Sequence, residues 1–186
     1  MENNYKIFIY ADKLTNQSKL INFKYKNLSI IYRDHESVKI ENLLQLSNFC
    51  KSKRISFFLY YNLKYLKNTF SGIYIPSYIK KFIFTNKIKI GSAHNYKEVF
   101  FKIRQQCRLI FLSPIFEDLK NRKSLGIVKF NLLSKNFKVN FIVLGGINYS
   151  NLNKVFISKS VGIAGIRMME DLRVFRKTSQ IKLLNN

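Results

Sequence analysis

The chain has 186 residues, 47% of them hydrophobic, which suits one domain with a real core and excludes a wholly disordered chain. Lys and Arg number 33 against 10 Asp and Glu, a formal net charge of +23. No apolar run approaches the roughly 18 residues of a membrane span, and two cysteines, Cys50 and Cys107, exclude a disulfide framework or a four-ligand zinc site.

A first strand is predicted over residues 7–10 (Ile-Phe-Ile-Tyr) and a second over 28–32, which ends in Arg33-Asp34-His35-Glu36. Arg33 suits two-pronged phosphate binding. Asp34, His35 and Glu36 are adjacent, and three neighbours rarely converge on one ion, so a solvated salt-bridge cluster competes with any site there. Val38, Leu43, Leu44, Leu46 and Phe49 form a stripe at helical spacing. The third strand, over 55–60, is followed by Asn62, a polar group at a strand mouth. Residues 63–70 leave room for little more than two helical turns. A fourth strand over 72–75 stops at Pro76.

The fifth strand, over 88–90, opens onto Gly91-Ser92-Ala93-His94-Asn95, which reads as a turn of small residues. Ser92 would donate to a phosphate oxygen there, and His94 would bond a ligand or cap the next helix; capping with a structural histidine is the alternative. Val99, Phe100, Ile103 and Cys107 form the next helical stripe. The sixth strand, over 109–112, ends in Ser113-Pro114-Ile115-Phe116, with Phe116 in a pocket wall. The seventh, over 141–144, runs into Gly145-Gly146-Ile147-Asn148 and a stripe of Leu152, Val155 and Phe156. The eighth, over 161–164, runs into Gly165-Ile166-Arg167. Residues 170–176 place acids before bases, as a final helix would. Cys50 and Cys107 fall on helix faces as small core residues.

Eight apolar, mostly continuous strands alternating with helical stripes predict a compact (β/α)8 barrel with shortened connections, in one domain over residues 1–186. A doubly wound open sheet is the alternative. Such barrels typically have about 250 residues and rarely fewer than about 200, so some crossovers must be loops or single turns. Active groups in a barrel sit at the carboxyl ends of the strands. Four of the seven glycines lie in the stretches around strands seven and eight, where backbone N–H groups would meet a phosphate. Tight turns with no ligand would use the same residues.

The charge has three readings: nucleic-acid binding, attraction of small anionic substrates, or AT-rich coding DNA. Lys, Asn, Ile, Phe and Tyr are abundant, Ala occurs only at Ala11, Ala93 and Ala164, and the charge is spread without a dominant basic block. The opening Met-Glu-Asn-Asn-Tyr-Lys lacks a signal-peptide layout, so a reduced, cytoplasmic protein is expected.

The order of motifs resembles the thiamine-phosphate synthase/TenI family of barrels over nearly the whole chain, from Ile7 to Arg167. Arg33-Asp34-His35 is similar to the family's R-x-K, Tyr61-Asn62-Leu63 to I-N-D, and Gly72-Ile73-Tyr74-Ile75-Pro76-Ser77-Tyr78-Ile79 to G-V-H-L-G-Q-x-D. Ser92-Ala93-His94 matches S-x-H, Ser113-Pro114-Ile115-Phe116 resembles G-P-x-F, Gly145-Gly146-Ile147 matches G-G-I, and Gly162-Ile163-Ala164 is similar to G-V-A. The resemblance implies coupling of hydroxymethylpyrimidine diphosphate to a thiazole phosphate, with diphosphate released and Mg²⁺ assisting. It places Arg33, Asn62 and Ser92 at the diphosphate as catalytic groups. His35, His94, Gly145, Gly146, Ile147 and Gly165 bind substrate. The chain departs from the pattern where it carries metal-binding acids: Leu63 and Ile79 stand there, Ser77 replaces a Gln, and Glu117-Asp118 replaces a Thr-rich loop. These departures argue against Mg²⁺. A barrel that only binds a phosphorylated thiazole or another phosphate ester, or that acts as a tautomerase, is the alternative, and a basic nucleic-acid-binding protein is the second.

Overall fold

The computed structural model describes residues 5–11, 27–32, 40–61, 70–117 and 123–165. Eight strands form a closed, all-parallel barrel: β1 (Lys6–Ala11), β2 (Leu28–Tyr32), β3 (Ser56–Tyr60), β4 (Gly72–Ile75), β5 (Ile88–Ala93), β6 (Leu109–Leu112), β7 (Asn140–Leu144) and β8 (Gly162–Gly165). Strands pair in sequence order, and β1 closes the ring on β8 with Ile7 opposite Ile163. Four described helices lie between them: α1 (Ile40–Ser52), α2 (Tyr96–Arg104), α3 (Gly126–Lys135) and α4 (Leu152–Phe156). This is the expected barrel, and the open sheet is excluded by the β1–β8 ladder.

The continuous apolar runs follow from burial on both strand faces. Residues pointing inward, Phe8, Tyr10, Ile31, Phe58, Tyr74, Ile90, Phe111 and Ile142, fill the barrel. Those pointing outward, such as Ile7, Ile9, Ile30 and Ile110, meet Leu43, Leu46, Val99, Phe130, Leu152 and Val155 from the helices. The interior is packed with rings: Phe8 stands edge-on to Phe111 at 4.9 Å between centroids, and Tyr74 meets Phe111 edge-on at 5.8 Å. Large rings need small neighbours. A Cβ at Gly72 would overlap the Ile88 carbonyl and come within 2.9 Å of Phe58.

The shortened connection is visible between β4 and β5, where residues 76–87 form a helix-free loop. Lys102 holds this loop from α2. Its side chain is fully buried, and Nζ donates to the carbonyls of Pro76 at 2.7 Å and Ile79 at 3.0 Å and to Gln105 Oε1 at 2.9 Å. Gln105 Nε2 donates to the Ile79 and Lys81 carbonyls. Burial pulls the Lys102 ammonium from the ordinary 10.5 down to about 8. Gly91 makes room for it, since a Cβ there would lie 2.8 Å from Lys102 Cδ and 2.9 Å from Cys107 Sγ.

Several expectations change. Phe100 was expected on a buried stripe, yet it is 54% exposed; Val99 is its fully buried neighbour, and Lys102 occupies the next inward position. Cys107 is buried but lies beyond α2, which ends before Gln106 adopts φ 61°. Gly91, Ser92 and Ala93 belong to β5 itself rather than to a turn, because they pair with Ile110, Phe111 and Leu112 of β6. Gly165 closes β8 opposite Ile9. Val38, the 63–69 stretch and the 170–176 segment lie outside the described residues. Among the described residues, no helix is long and apolar enough to cross a membrane.

Candidate functional site

Because all strands run parallel, their carboxyl ends gather at one mouth. Ser92 is two residues beyond the inward-facing Ile90, so alternation turns it inward near the end of β5, where it is 5% exposed. Among the described residues none hydrogen-bonds its hydroxyl. Next along the chain, Asn95 caps α2: its Oδ1 accepts from the Glu98 N–H at 2.9 Å, and Glu98 Oε2 accepts from the His94 N–H at 2.7 Å. The cap is therefore Asn95, and the His94 ring is left for other work.

The His94 ring reaches across to β6. Its Nδ1 lies 2.7 Å from the Ser113 carbonyl and 3.1 Å from Ser113 Oγ. A carbonyl only accepts, so Nδ1 of the neutral ring carries the proton and Nε2 is the basic nitrogen. Ser113 is 6% exposed and is a site residue that the motifs left unassigned. The signal for it was present: it stands two residues beyond the inward-facing Phe111.

The β6 loop in turn rests on the β7 turn. Ile115 N–H donates to the Leu144 carbonyl at 2.9 Å and Phe116 N–H to the Gly145 carbonyl at 3.2 Å. Gly145 and Gly146 have φ of 94° and 68°, which side chains rarely adopt. A Cβ at Gly145 would sit 2.9 Å from Pro114 Cα, and one at Gly146 would sit 2.5 Å from the Glu117 carbonyl oxygen. Both glycines are thus required by the approach of the 114–117 backbone. Just after them, Asn148 Oδ1 accepts from the N–H groups of Ser150 and Asn151, and Asn151 Oδ1 accepts from the Asn148 N–H. Among the described residues none accepts from the N–H groups of Gly146 and Ile147. Phe116 is half-buried and packs against the layer outside the barrel.

The remaining wall is aromatic. Tyr10 meets Tyr74 edge-on at 5.5 Å, Tyr60 lies 5.9 Å from Tyr74, and Tyr60 and Tyr78 hydroxyls are 2.6 Å apart. Tyr10, Tyr60 and Tyr74 lie in the runs predicted as strands, and Tyr78 lies beyond the fourth. Arg33, His35 and Asn62 lie outside the described residues. The thiols are not nucleophiles here: burial pushes Cys50 up to about 12 and Cys107 up to about 11.

The Mg²⁺ that the resemblance implies finds a poor fit. Among the described residues no three His, Cys, Asp or Glu side chains cluster. At the β4 mouth the positions of the family's Gln and acid are Ser77 and Ile79, and the Ile79 carbonyl is already taken by Lys102 and Gln105. A hard cation needs oxygen ligands, and an ammonium beside the carbonyl repels it.

No protein-family model matches the chain. The thiamine-phosphate synthase of Prochlorococcus marinus subsp. pastoris is 30% identical over 98 residues, which are 50% of this chain and 28% of that protein. The match thus covers less than a third of that relative's length. A thiamine phosphate pyrophosphorylase from Pyrococcus furiosus superposes with a TM-score of 0.78 at 16% identity, covering 98% of both chains. One from Bacteroides thetaiotaomicron gives 0.68 at 14% identity, covering 95% of this chain and 98% of that one. The two structures share the barrel fold with this chain.

Proposed function

We propose that the chain is a divergent member of the thiamine-phosphate synthase/TenI family. It binds a phosphorylated thiazole at the barrel mouth, and its reaction is the coupling of hydroxymethylpyrimidine diphosphate to that thiazole with release of diphosphate. One observation carries the reading. Ser92 and His94, the Ser113-Pro114 loop, and the Gly145-Gly146 turn are distant in sequence, yet they touch in series across β5, β6 and β7. These are the motifs that resemble the family, and the resemblance in sequence and fold is to proteins named for thiamine phosphate.

In this reading the N–H groups of Gly146 and Ile147 receive the thiazole phosphate. The Ser92 hydroxyl donates to the diphosphate, and the aromatic wall of Tyr10, Tyr60 and Tyr74 meets the planar heterocycles. No step is routed through a metal, because the described mouth does not fit one. The second reading, a barrel that binds the phosphate ester without coupling it, is favoured by Ser77 and Ile79 in place of the family's Gln and acid.

The test supplies the purified chain with both substrates and Mg²⁺ and follows thiamine phosphate, with calorimetry of the thiazole phosphate alone in parallel. Turnover that falls in Ser92→Ala and vanishes in Gly146→Asp supports coupling. Thiazole phosphate binding without turnover supports the second reading. A folded chain that neither binds nor turns over refutes both.

A further inference from the structure

We propose that the outer part of the helix-free β4–β5 loop, from Lys80 onward, and the adjoining face of α2 form a binding surface for single-stranded nucleic acid, separate from the barrel mouth. Three observations converge on this flank. The first is exposed apolar surface: Phe82 and Phe84 of the loop are exposed, Phe84 at 92%, and Phe82 lies 6.1 Å from the Phe101 ring of α2. Adjacent exposed rings of this kind mark an interaction site.

The second is charge. Between residues 76 and 108, apart from the buried Lys102, the chain has five Lys and two Arg against one acid, Glu98, and Glu98 is occupied at the α2 cap. The third is interleaving. Lys80 Nζ lies over the Phe101 ring at 5.6 Å, Lys81 Nζ over Tyr61 at 5.8 Å, and the Arg104 guanidinium over Phe82 at 5.9 Å. Rings beside cations are what a strand of alternating bases and phosphates requires: bases stack on rings while the cations meet the backbone.

The surface is also held in shape. Lys102 and Gln105 bind the loop at Pro76, Ile79 and Lys81, and Ile83 anchors it as a buried side chain. Phe82 and Phe84 flank Ile83 and so are presented outward by a fixed backbone. A second copy of the chain is a poor occupant, because this acid-poor flank would meet its own cations in a symmetric pair. A lipid surface is disfavoured too: placing Phe82 and Phe101 in hydrocarbon would drag Arg104 and Lys80 with them.

The experiment measures anisotropy of a labelled twenty-nucleotide oligothymidine with the full chain, alongside a duplex of equal length and phosphatidylserine-containing vesicles. The Phe82→Ser/Phe84→Ser variant keeps every charge. It is expected to weaken oligothymidine binding at least tenfold and to leave duplex binding within about twofold. Lys80→Gln/Lys81→Gln should flatten the slope of log K against log salt by about 1.4. Val128→Ser/Ile157→Ser removes exposed apolar side chains outside the patch and should change nothing. Equal weakening in that control, oligothymidine binding indifferent to the Phe82/Phe84 pair in a folded variant, or loss confined to vesicle binding would each overturn the proposal.

Discussion

The buried Lys102 ammonium makes a stability prediction with a definite sign. Its proton is held up to about pH 8 in the folded chain and up to about 10.5 in the unfolded one, because burial penalises the charge. Between those values the unfolded chain binds more protons, so raising the pH favours the folded state. Below pH 8 both forms are charged and the penalty is present in full. One pKa unit corresponds to about 1.4 kcal/mol, and at pH 9.5 roughly a unit and a half of the gap has been crossed, which relieves about 2 kcal/mol. Other groups titrate in the same range, and they act oppositely: Tyr5, Cys50 and Cys107 are all raised by burial, so their unfolded forms ionise first and cost stability as pH climbs. Lys102→Met removes this titration and leaves those of Tyr5 and Cys50, while Cys107 loses the neighbouring cation that lowers its thiol. The quantity to measure is therefore the difference in urea unfolding free energy between the wild type and Lys102→Met at pH 7.0 and 9.5, at constant ionic strength. The difference should move by about 2 kcal/mol in favour of the wild type. A difference that stays flat, or moves the other way, would refute the reasoning: it would mean that the three oxygens around Nζ offset the burial of the charge completely.

Two further outcomes test the packing. Gly162→Ala should lower stability by about 3 kcal/mol, since its Cβ would overlap the Lys6 carbonyl at the β1–β8 seam and lie 2.9 Å from Ile142; Gly126→Ala, with open space but φ 71°, should cost only about 1 kcal/mol, and thermal unfolding of the pair would distinguish crowding from backbone strain. Cys50 and Cys107 are buried and held well above the usual thiol range, so a disulfide reagent at pH 8 should label neither until denaturant opens the chain; fast labelling of the native protein would place a thiol at the surface.

The barrel was legible because its strands are buried on both faces, and such strands read as unbroken apolar runs whose spacing admits a crossover. Ser92, His94 and the Gly145-Gly146 turn were legible as candidates for the same reason: each follows a run at its carboxyl end. What could not be read was contact between the loops. Nothing in the spacing tells that His94 reaches Ser113, or that Gly145 and Gly146 lack side chains because Pro114, Phe116 and Glu117 press against them. The strand ends misled for a related cause. Gly91, Ser92, Ala93 and Gly165 have turn-like composition, yet a closed barrel pairs its strands to their ends, and small residues there make room for neighbours. Gly91 does so for Lys102, the residue that helical spacing least prepares one for. A lysine in a helix reads as solvent-facing, but the helix-free β4–β5 loop turns the Ile79 carbonyl, and the Pro76 carbonyl that already accepts the Ile79 N–H, toward α2, and an ammonium there is a long, strong donor within reach of both. The helix-free β4–β5 connection and the burial of Lys102 are therefore two sides of one physical fact. Where a barrel gives up a helix, the backbone polar groups of the loop that replaces it must be satisfied from a neighbouring element, and here Lys102 and Gln105 of that element do so while turning Phe82 and Phe84 toward solvent.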